Sequence, residues 1–94
     1  MGRRKRHVFI SKAEKRDAWM YLGDLSAGRK GIVRWLSGGR SLTSRLTSMG
    51  FSLGVELEVV QNFGRGPIIV KVRDTRVALG RGEATHIQVE AIND

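Results

Sequence analysis

The chain has no cysteine, a single proline and few aromatic residues among its 94 positions. Without cysteine, disulfides, thiolate metal sites and thiol chemistry are all excluded. No apolar run approaches the ~20 residues that span a bilayer, and the N-terminus lacks the apolar core of a signal peptide. The sequence therefore predicts one small cytoplasmic domain with a tail and no cofactor.

Groups that carry catalysis are equally sparse. The two histidines, His7 and His86, lie far apart in the chain, and no serine or threonine has a plausible His–Asp partner. The stretches GRGP (64–67) and GRG (80–82) are glycine turns that match neither a P-loop nor a GxGxxG motif before a helix. We therefore predict that the chain is not an enzyme.

The net charge of +8 is distributed unevenly. Residues 1–22 hold seven basic and two acidic side chains, whereas residues 23–94 hold ten and seven. This contrast predicts a basic N-terminal extension over 1–22 and a folded domain over 23–94. The extension suits an acidic membrane, a nucleic acid or an acidic protein, and a solvated arm without a target is the alternative. Its candidate contact residues are Arg3, Arg4, Lys5, Arg6, Lys12, Lys15 and Arg16.

Part of this extension has a helical pattern. Ser11 and Glu14 stand three residues apart, as in a capping box, and the spacing that follows suits a short helix over 13–22. Gly23 would end that helix.

From Gly31 onward, apolar and polar residues alternate with a period of two, which is typical of strands. The pattern predicts a mostly β fold, a small five-stranded barrel whose first connection holds one short helix at about 41–49. A tight turn is expected at Asp74–Thr75 and a glycine-rich loop at 62–67. The predicted strands are 31–36, 55–60, 67–73, 76–79 and 86–92.

The predicted helix has one apolar stripe and one arginine beside it. Arg45 lies about 60° off the stripe, so its stem can follow the core while the guanidinium reaches the rim. Ser41 offers an N-cap and Gly50 a left-handed position after the last turn. The stripe consists of Leu42, Leu46 and Met49.

Two hypotheses fit Arg45. It is either a structural clamp that bonds carbonyls or a carboxylate such as Glu83, or a partner contact. The uncharged face of the same helix could approach another surface closely. The candidate partner-binding residues are therefore Arg45, Thr43, Ser44, Thr47 and Ser48.

A metal site has little support, because only Glu83 and His86 could supply neighbouring ligands and stable sites use three or four. The simpler interpretation is that Glu83 caps a turn and His86 begins a strand. Trp35 and Phe63 are assigned to the core or to a lid over it.

Several segments together resemble one family. DLSAGRKGIVRWL, RLTSMGFSLGVELEVV, GPIIVKV and VALGRGEATHIQVE, in that order and spacing over residues 22–92, are similar to the FeoA domain. The most specific piece is Arg45-Leu46, Met49-Gly50 and then a final Gly54. Leu53 departs from the proline usual before that glycine, and the basic extension is longer than usual.

The resemblance implies an SH3-like barrel, in agreement with the strand pattern. It also implies a small accessory of ferrous iron uptake that works with the membrane GTPase-transporter FeoB, in a family with an expectation of transition metal ion binding. Related domains form the C-terminal part of some iron-dependent repressors.

The alternative is a nucleic-acid-binding SH3-like barrel or a regulator-type domain, which the net charge permits. Against nucleic acid, residues 23–94 lack a row of aromatics interleaved with basic residues. Glu56, Glu58 and Glu90 would also repel phosphates on the outer strand positions.

Overall fold

The computed structural model describes residues 18–92, which form a single antiparallel sheet with two helices. The six strands follow the order β1-β6-β2-β3-β4-β5 across the sheet. The strands are β1 Trp19–Tyr21, β2 Lys30–Leu36, β3 Glu56–Gln61, β4 Ile68–Val72, β5 Thr75–Leu79 and β6 Ile87–Ile92. The helices are α1 Gly39–Ser48 and α2 Arg81–Ala84, and a 3-10 turn covers Leu22–Asp24.

The core lies inside the curved sheet and is made by alternate residues of the strands. Every fully buried side chain of residues 18–92 is apolar. The predicted alternation is confirmed in β3, β4 and β6, where the buried residues occupy every second position. The largest buried side chains are Phe51, Leu22, Leu25, Leu46, Leu57, Ile68, Leu79 and Ile87.

All five predicted strands are present, and a sixth strand, β1, joins them. The predicted helix over 13–22 is wrong where the structure describes it, because Trp19–Tyr21 pairs antiparallel with β6, Met20 opposite Val89. A three-residue strand has no period of its own, so only its pairing with β6 reveals it. The sheet thus begins inside the segment assigned to the basic extension, and residues 13–17 lie outside the described part.

Strand β2 contains an irregularity that turns one side chain from the inner to the outer face of the sheet. Its pairing with β6 shifts between Val33 and Trp35, so that Trp35 lies opposite Gln88 rather than opposite an inward residue. Trp35 is consequently half exposed on the outer face. The assignment of Trp35 to the core or to a lid over it was wrong, because strict alternation does not allow for a bulge.

The β4–β5 turn is one residue earlier than predicted. Val72 pairs with Thr75, and the two residues between them, Arg73 and Asp74, have φ of 52° and 63°. These values are typical of a two-residue hairpin turn whose twist matches that of the strands.

Side-chain hydrogen bonds connect the segments that follow β1 and β5, the two edge strands of the sheet. The Asn62 amide nitrogen donates to the carbonyl oxygens of Gly23 and Leu25, both at 2.9 Å. Arg81, which follows β5, donates to the Asn62 amide oxygen at 2.7 Å and to the carbonyls of Gly66 and Gly23 at 3.2 and 3.4 Å. The segment after β1 is thereby attached to the segment after β5 and to the β3–β4 loop.

Neither described helix has the length and the apolar character that crossing a membrane requires.

Candidate partner-binding surface

Helix α1 carries the predicted partner-binding residues, and of its two predicted caps only the C-terminal one agrees with the structure. It begins at Gly39 with Gly38 as N-cap, so the predicted N-cap Ser41 is wrong and lies inside the first turn. Its C-terminus follows the prediction: Gly50 has φ of 112° and donates to Thr47 O at 3.0 Å. Phe51 N–H then donates to Leu46 O at 2.9 Å, which completes a Schellman motif.

The buried side of α1 is the predicted apolar stripe. Leu46 is fully buried, and Leu42 and Met49 pack against the core as partly buried residues. Phe51, which is also fully buried, lies at the position where this motif usually makes a hydrophobic contact with Leu46. The packing fixes the rotation of a ten-residue helix that would be marginal alone, and so fixes which face meets solvent.

The opposite face of α1 is polar and uncharged apart from its arginines. Ser44, Thr47 and Ser48 are exposed, as the candidate surface requires. Thr43 differs, because it is half-buried and its hydroxyl donates to Arg40 O at 3.1 Å. The exposed part of the predicted set is therefore Ser44, Thr47, Ser48 and Arg45, which we call the α1 surface.

Arg45 forms an ion pair with Glu83 of α2 through its Nη2 atom. The side chain of Arg45 is 58% exposed and that of Glu83 is 32% exposed, so the pair lies at the rim and is screened by water. The other Glu83 oxygen accepts the Gly80 N–H at 3.1 Å and thereby caps α2. Arg45 thus makes the expected clamp contact, while more than half of its side chain remains exposed.

His86 is held at the start of β6 beside the beginning of α1. Its Nδ1 lies 3.2 Å from Ser37 Oγ, and its carbonyl accepts the Ser37 N–H at 2.9 Å. Its own N–H donates to Glu83 O at 3.0 Å. A Cβ on Gly38, whose φ is 100°, would come within 2.9 Å of the His86 ring, so that any other residue would be strained here.

The side chains near α2 do not fit a resident metal ion. Both carboxylate oxygens of Glu83 are engaged, one by Arg45 and the other by Gly80 N–H. Within residues 18–92, no cluster of three or more His, Cys, Asp or Glu side chains has the proximity that a metal ion needs. Glu83 and His86 instead have the structural roles that the sequence suggested for them.

A shallow depression of about 270 Å³ lies at the N-terminal end of the α1 surface. It is lined by Gly38, Ser41, Leu42 and Arg45. Because the depression is open to solvent, it suits the side chain of an approaching protein better than an enclosed small molecule.

Two features of the rest of the molecule were not foreseen. Phe63 is 75% exposed on the β3–β4 loop, so its assignment to the core or a lid was wrong. The Asn62–Arg81 contact was also missed, although the spacing of Asn62 and Gly64 is an Asx-turn signal that could have located half of it. The candidate contact residues of the basic extension lie outside the described residues.

Comparison with known proteins agrees with this architecture. Residues 20–91 match the model of the FeoA domain. A relative in Methanocaldococcus jannaschii, named Fe(2+) transport protein A, is 38% identical over 63 residues, which cover 67% of this chain and 76% of the relative.

Solved structures show the same fold. The crystal structure of an iron uptake regulatory protein, FeoA, superimposes with a TM-score of 0.75 at 34% identity, covering 79% of this chain and 99% of the other. FeoA of Stenotrophomonas maltophilia complexed with zinc, described as a procaryotic SH3 domain protein, gives a TM-score of 0.67 at 29% identity over 76% and 89%. The fold is therefore SH3-like, and the chain belongs to the FeoA family of proteins associated with ferrous iron transport.

Proposed function

We propose that the chain is a cytoplasmic accessory of ferrous iron uptake that binds the cytosolic GTPase region of a FeoB-type transporter through the α1 surface. The observation that carries this proposal is the combination, on a FeoA domain, of an exposed uncharged helix face with a solvent-facing arginine. Short hydroxyl side chains lose little conformational entropy on binding, and arginine is enriched at the energetic centres of interfaces.

The proposed role is recognition rather than chemistry. The hydroxyl of Ser37 lies beside the His86 ring, but within residues 18–92 no carboxylate bonds that ring as a catalytic triad requires, and the family is one of transport accessories. Since Glu83 is fully engaged, we include no resident metal ion in the proposal. Ferrous iron is the cargo of the transporter and not a ligand that this domain must hold.

The test is binding of the full chain to the purified cytosolic region of the transporter, measured with GDP and with a GTP analogue. The double variant Ser44→Arg and Ser48→Arg adds two bulky cations to the α1 surface. A matched control, Ser26→Arg and Thr75→Arg, adds the same charge at exposed positions elsewhere. We expect the first to weaken binding at least about tenfold and the second to leave it nearly unchanged. Equal affinities for the two double variants would refute the assignment of the surface.

The basic extension adds a second, weaker contact in this proposal. A FeoB-type transporter presents its GTPase region near the inner leaflet, so the partner of this chain lies beside anionic lipid. Each basic residue close to such a membrane contributes about 1 kcal/mol, and seven of them stand within residues 1–22. We expect weak binding of the full chain to acidic vesicles at low salt, and none by a chain lacking residues 1–17.

Salt alone does not distinguish lipid from nucleic acid, because both attractions weaken as ionic strength rises. The same two chains should therefore be titrated with acidic vesicles, neutral vesicles and duplex DNA. Tight DNA binding that persists at physiological salt would overturn the membrane assignment in favour of a nucleic-acid target.

A further inference from the structure

We propose that the β3–β4 loop, residues 62–67, is a second contact site for the same partner. Its Phe63 would enter an apolar pocket of the transporter's cytosolic region, and its Arg65 would meet carboxylates at the edge of that pocket. The inference rests on the proposed function, but it assigns a surface on a different element from α1.

The first observation is the unusual exposure of an aromatic side chain. Phe63 is 75% exposed, the highest value among the exposed large apolar residues of 18–92. Leaving a phenylalanine in water forgoes most of the stabilisation that its burial would give. Aromatic residues and arginine are enriched at interfaces, and here Phe63 and the exposed Arg65 stand two residues apart on one loop.

The second observation is that the loop carrying these side chains is fixed. All four hydrogen-bonding positions of the Asn62 amide are used, two by carbonyls of the segment after β1 and two by N–H donors from Gly64 and Arg81. Arg81 also donates to Gly66 O at the other end of the loop. The backbone is thus held on both sides of Phe63 and Arg65, whose side chains are both exposed.

A loop held in this way suits recognition of a protein. Because the loop is already ordered, little conformational entropy is lost when its two side chains are immobilised by a partner. A membrane is the weaker candidate, since membrane affinity scales with buried apolar area and the loop offers one large apolar side chain.

Charge indicates the chemistry of the pocket. The loop contains Arg65 and no acidic residue, and residues 18–92 as a whole carry ten basic and six acidic side chains. Complementarity therefore requires carboxylates on the partner, placed near the apolar pocket that receives Phe63.

The experiment measures affinity of the full chain for the purified cytosolic region of the transporter at two salt concentrations. Phe63→Ser removes the ring and Arg65→Glu reverses the charge. Leu53→Ser and Arg76→Glu make the same changes at exposed positions on other elements. We expect Phe63→Ser and Arg65→Glu each to weaken binding at least about tenfold, and the two controls to change it less than about twofold. The effect of Arg65→Glu should diminish at high salt, whereas that of Phe63→Ser should not.

Failure of this inference is distinguishable from failure of the proposed function. If the wild-type chain does not bind the cytosolic region, both are overturned. If it binds and only the α1 double variant is impaired, the loop assignment is overturned and the proposed function stands. If Phe63→Ser abolishes binding to acidic vesicles but not to the transporter region, the loop contacts lipid and the inference is wrong.

Discussion

Replacement of Asn62 by alanine is expected to lower the free energy of unfolding by about 2–4 kcal/mol. The side chain donates two hydrogen bonds, at 2.9 Å to Gly23 O and Leu25 O, and accepts two, from Gly64 N–H at 3.0 Å and Arg81 Nη2 at 2.7 Å. Each such bond contributes about 0.5–1.5 kcal/mol net, and the bond from the charged Arg81 lies at the upper end. After the change, water can reach the Gly64 side of the loop and replace part of what is lost. We therefore take the lower half of the range of free energies that the four bonds give together.

The loss is large relative to the whole, because a domain of this size is stabilised by about 5–15 kcal/mol. Urea unfolding of the full chain measures it, and the dependence of the free energy on urea should keep its slope. The cycle described next also replaces Arg81 by alanine, and Arg76, which is exposed on β5, provides its matched control. Arg76→Ala should change the free energy of unfolding by less than about 0.5 kcal/mol.

A double-mutant cycle isolates the contact itself. Asn62→Ala and Arg81→Ala each break the bond between Asn62 Oδ1 and Arg81 Nη2, so their combined effect should fall short of the sum by about 0.5–3 kcal/mol. An Asn62→Ala change below about 0.5 kcal/mol, or strictly additive effects, would show that the contact does not hold the ends of the sheet together.

Two further predictions concern helix α1. Leu46→Ala should lower the free energy of unfolding by about 2–5 kcal/mol, because Leu46 is fully buried, whereas Leu53→Ala at a 63% exposed position should have little effect. Gly38→Ala should destabilise more than Gly39→Ala in thermal and urea unfolding. Both glycines have positive φ, of 100° and 90°, but only at Gly38 would a Cβ meet side-chain atoms, at 2.6 and 2.9 Å. Equal losses at the two glycines would refute the steric argument, and equal losses at the two leucines would refute the packing of the helix.

The strands that the sequence predicts correctly are those in which the alternation of apolar and polar residues is enough to determine which side chains are buried. In β4, Ile68, Val70 and Val72 alternate with more exposed residues and are all buried. Helix α1 was also predictable, since its apolar stripe and Gly50 are local signals. Its start was placed two residues late because Gly38 serves as N-cap through its backbone conformation, and no side-chain signal marks that position.

The errors arise where contacts between residues that are distant in the chain determine the local structure. Strand β1 exists because β6 offers it a pairing edge, and Trp35 faces outward because of a bulge against the same strand. The Asn62–Arg81 contact joins residues 19 positions apart, and nothing in the local sequence of either indicates the other. Of the residues that we now propose for partner binding, the sequence suggested those on helix α1 but not Phe63, because hydrophobicity by itself predicts burial and Phe63 is exposed.

Helix α2 connects both proposed contact sites, although it has only four residues. Arg81, at its start, holds the β3–β4 loop, and Glu83 pairs with Arg45 on the α1 surface. Ala84 is fully buried and anchors α2 to the core. The two proposed sites are therefore both attached to α2, so that a partner binding both would meet them at a fixed separation.

This arrangement allows the two hypotheses for Arg45 to be separated by a pair of variants. Arginine has five N–H donors, and the ion pair with Glu83 engages Nη2 while the side chain stays 58% exposed. If Arg45 contacts the partner, Arg45→Ala weakens transporter binding, whereas Glu83→Gln, which leaves the guanidinium in place, does not. If Arg45 only clamps α1 to α2, both variants weaken binding alike.

We expect the first result, because an exposed ion pair contributes at most about 1 kcal/mol and its loss would not displace a helix that Leu46 anchors in the core. Binding by calorimetry and unfolding in urea should be measured on the same preparations. Matching losses of affinity for Arg45→Ala and Glu83→Gln would contradict the contact hypothesis, since the only property the two variants share is the broken ion pair.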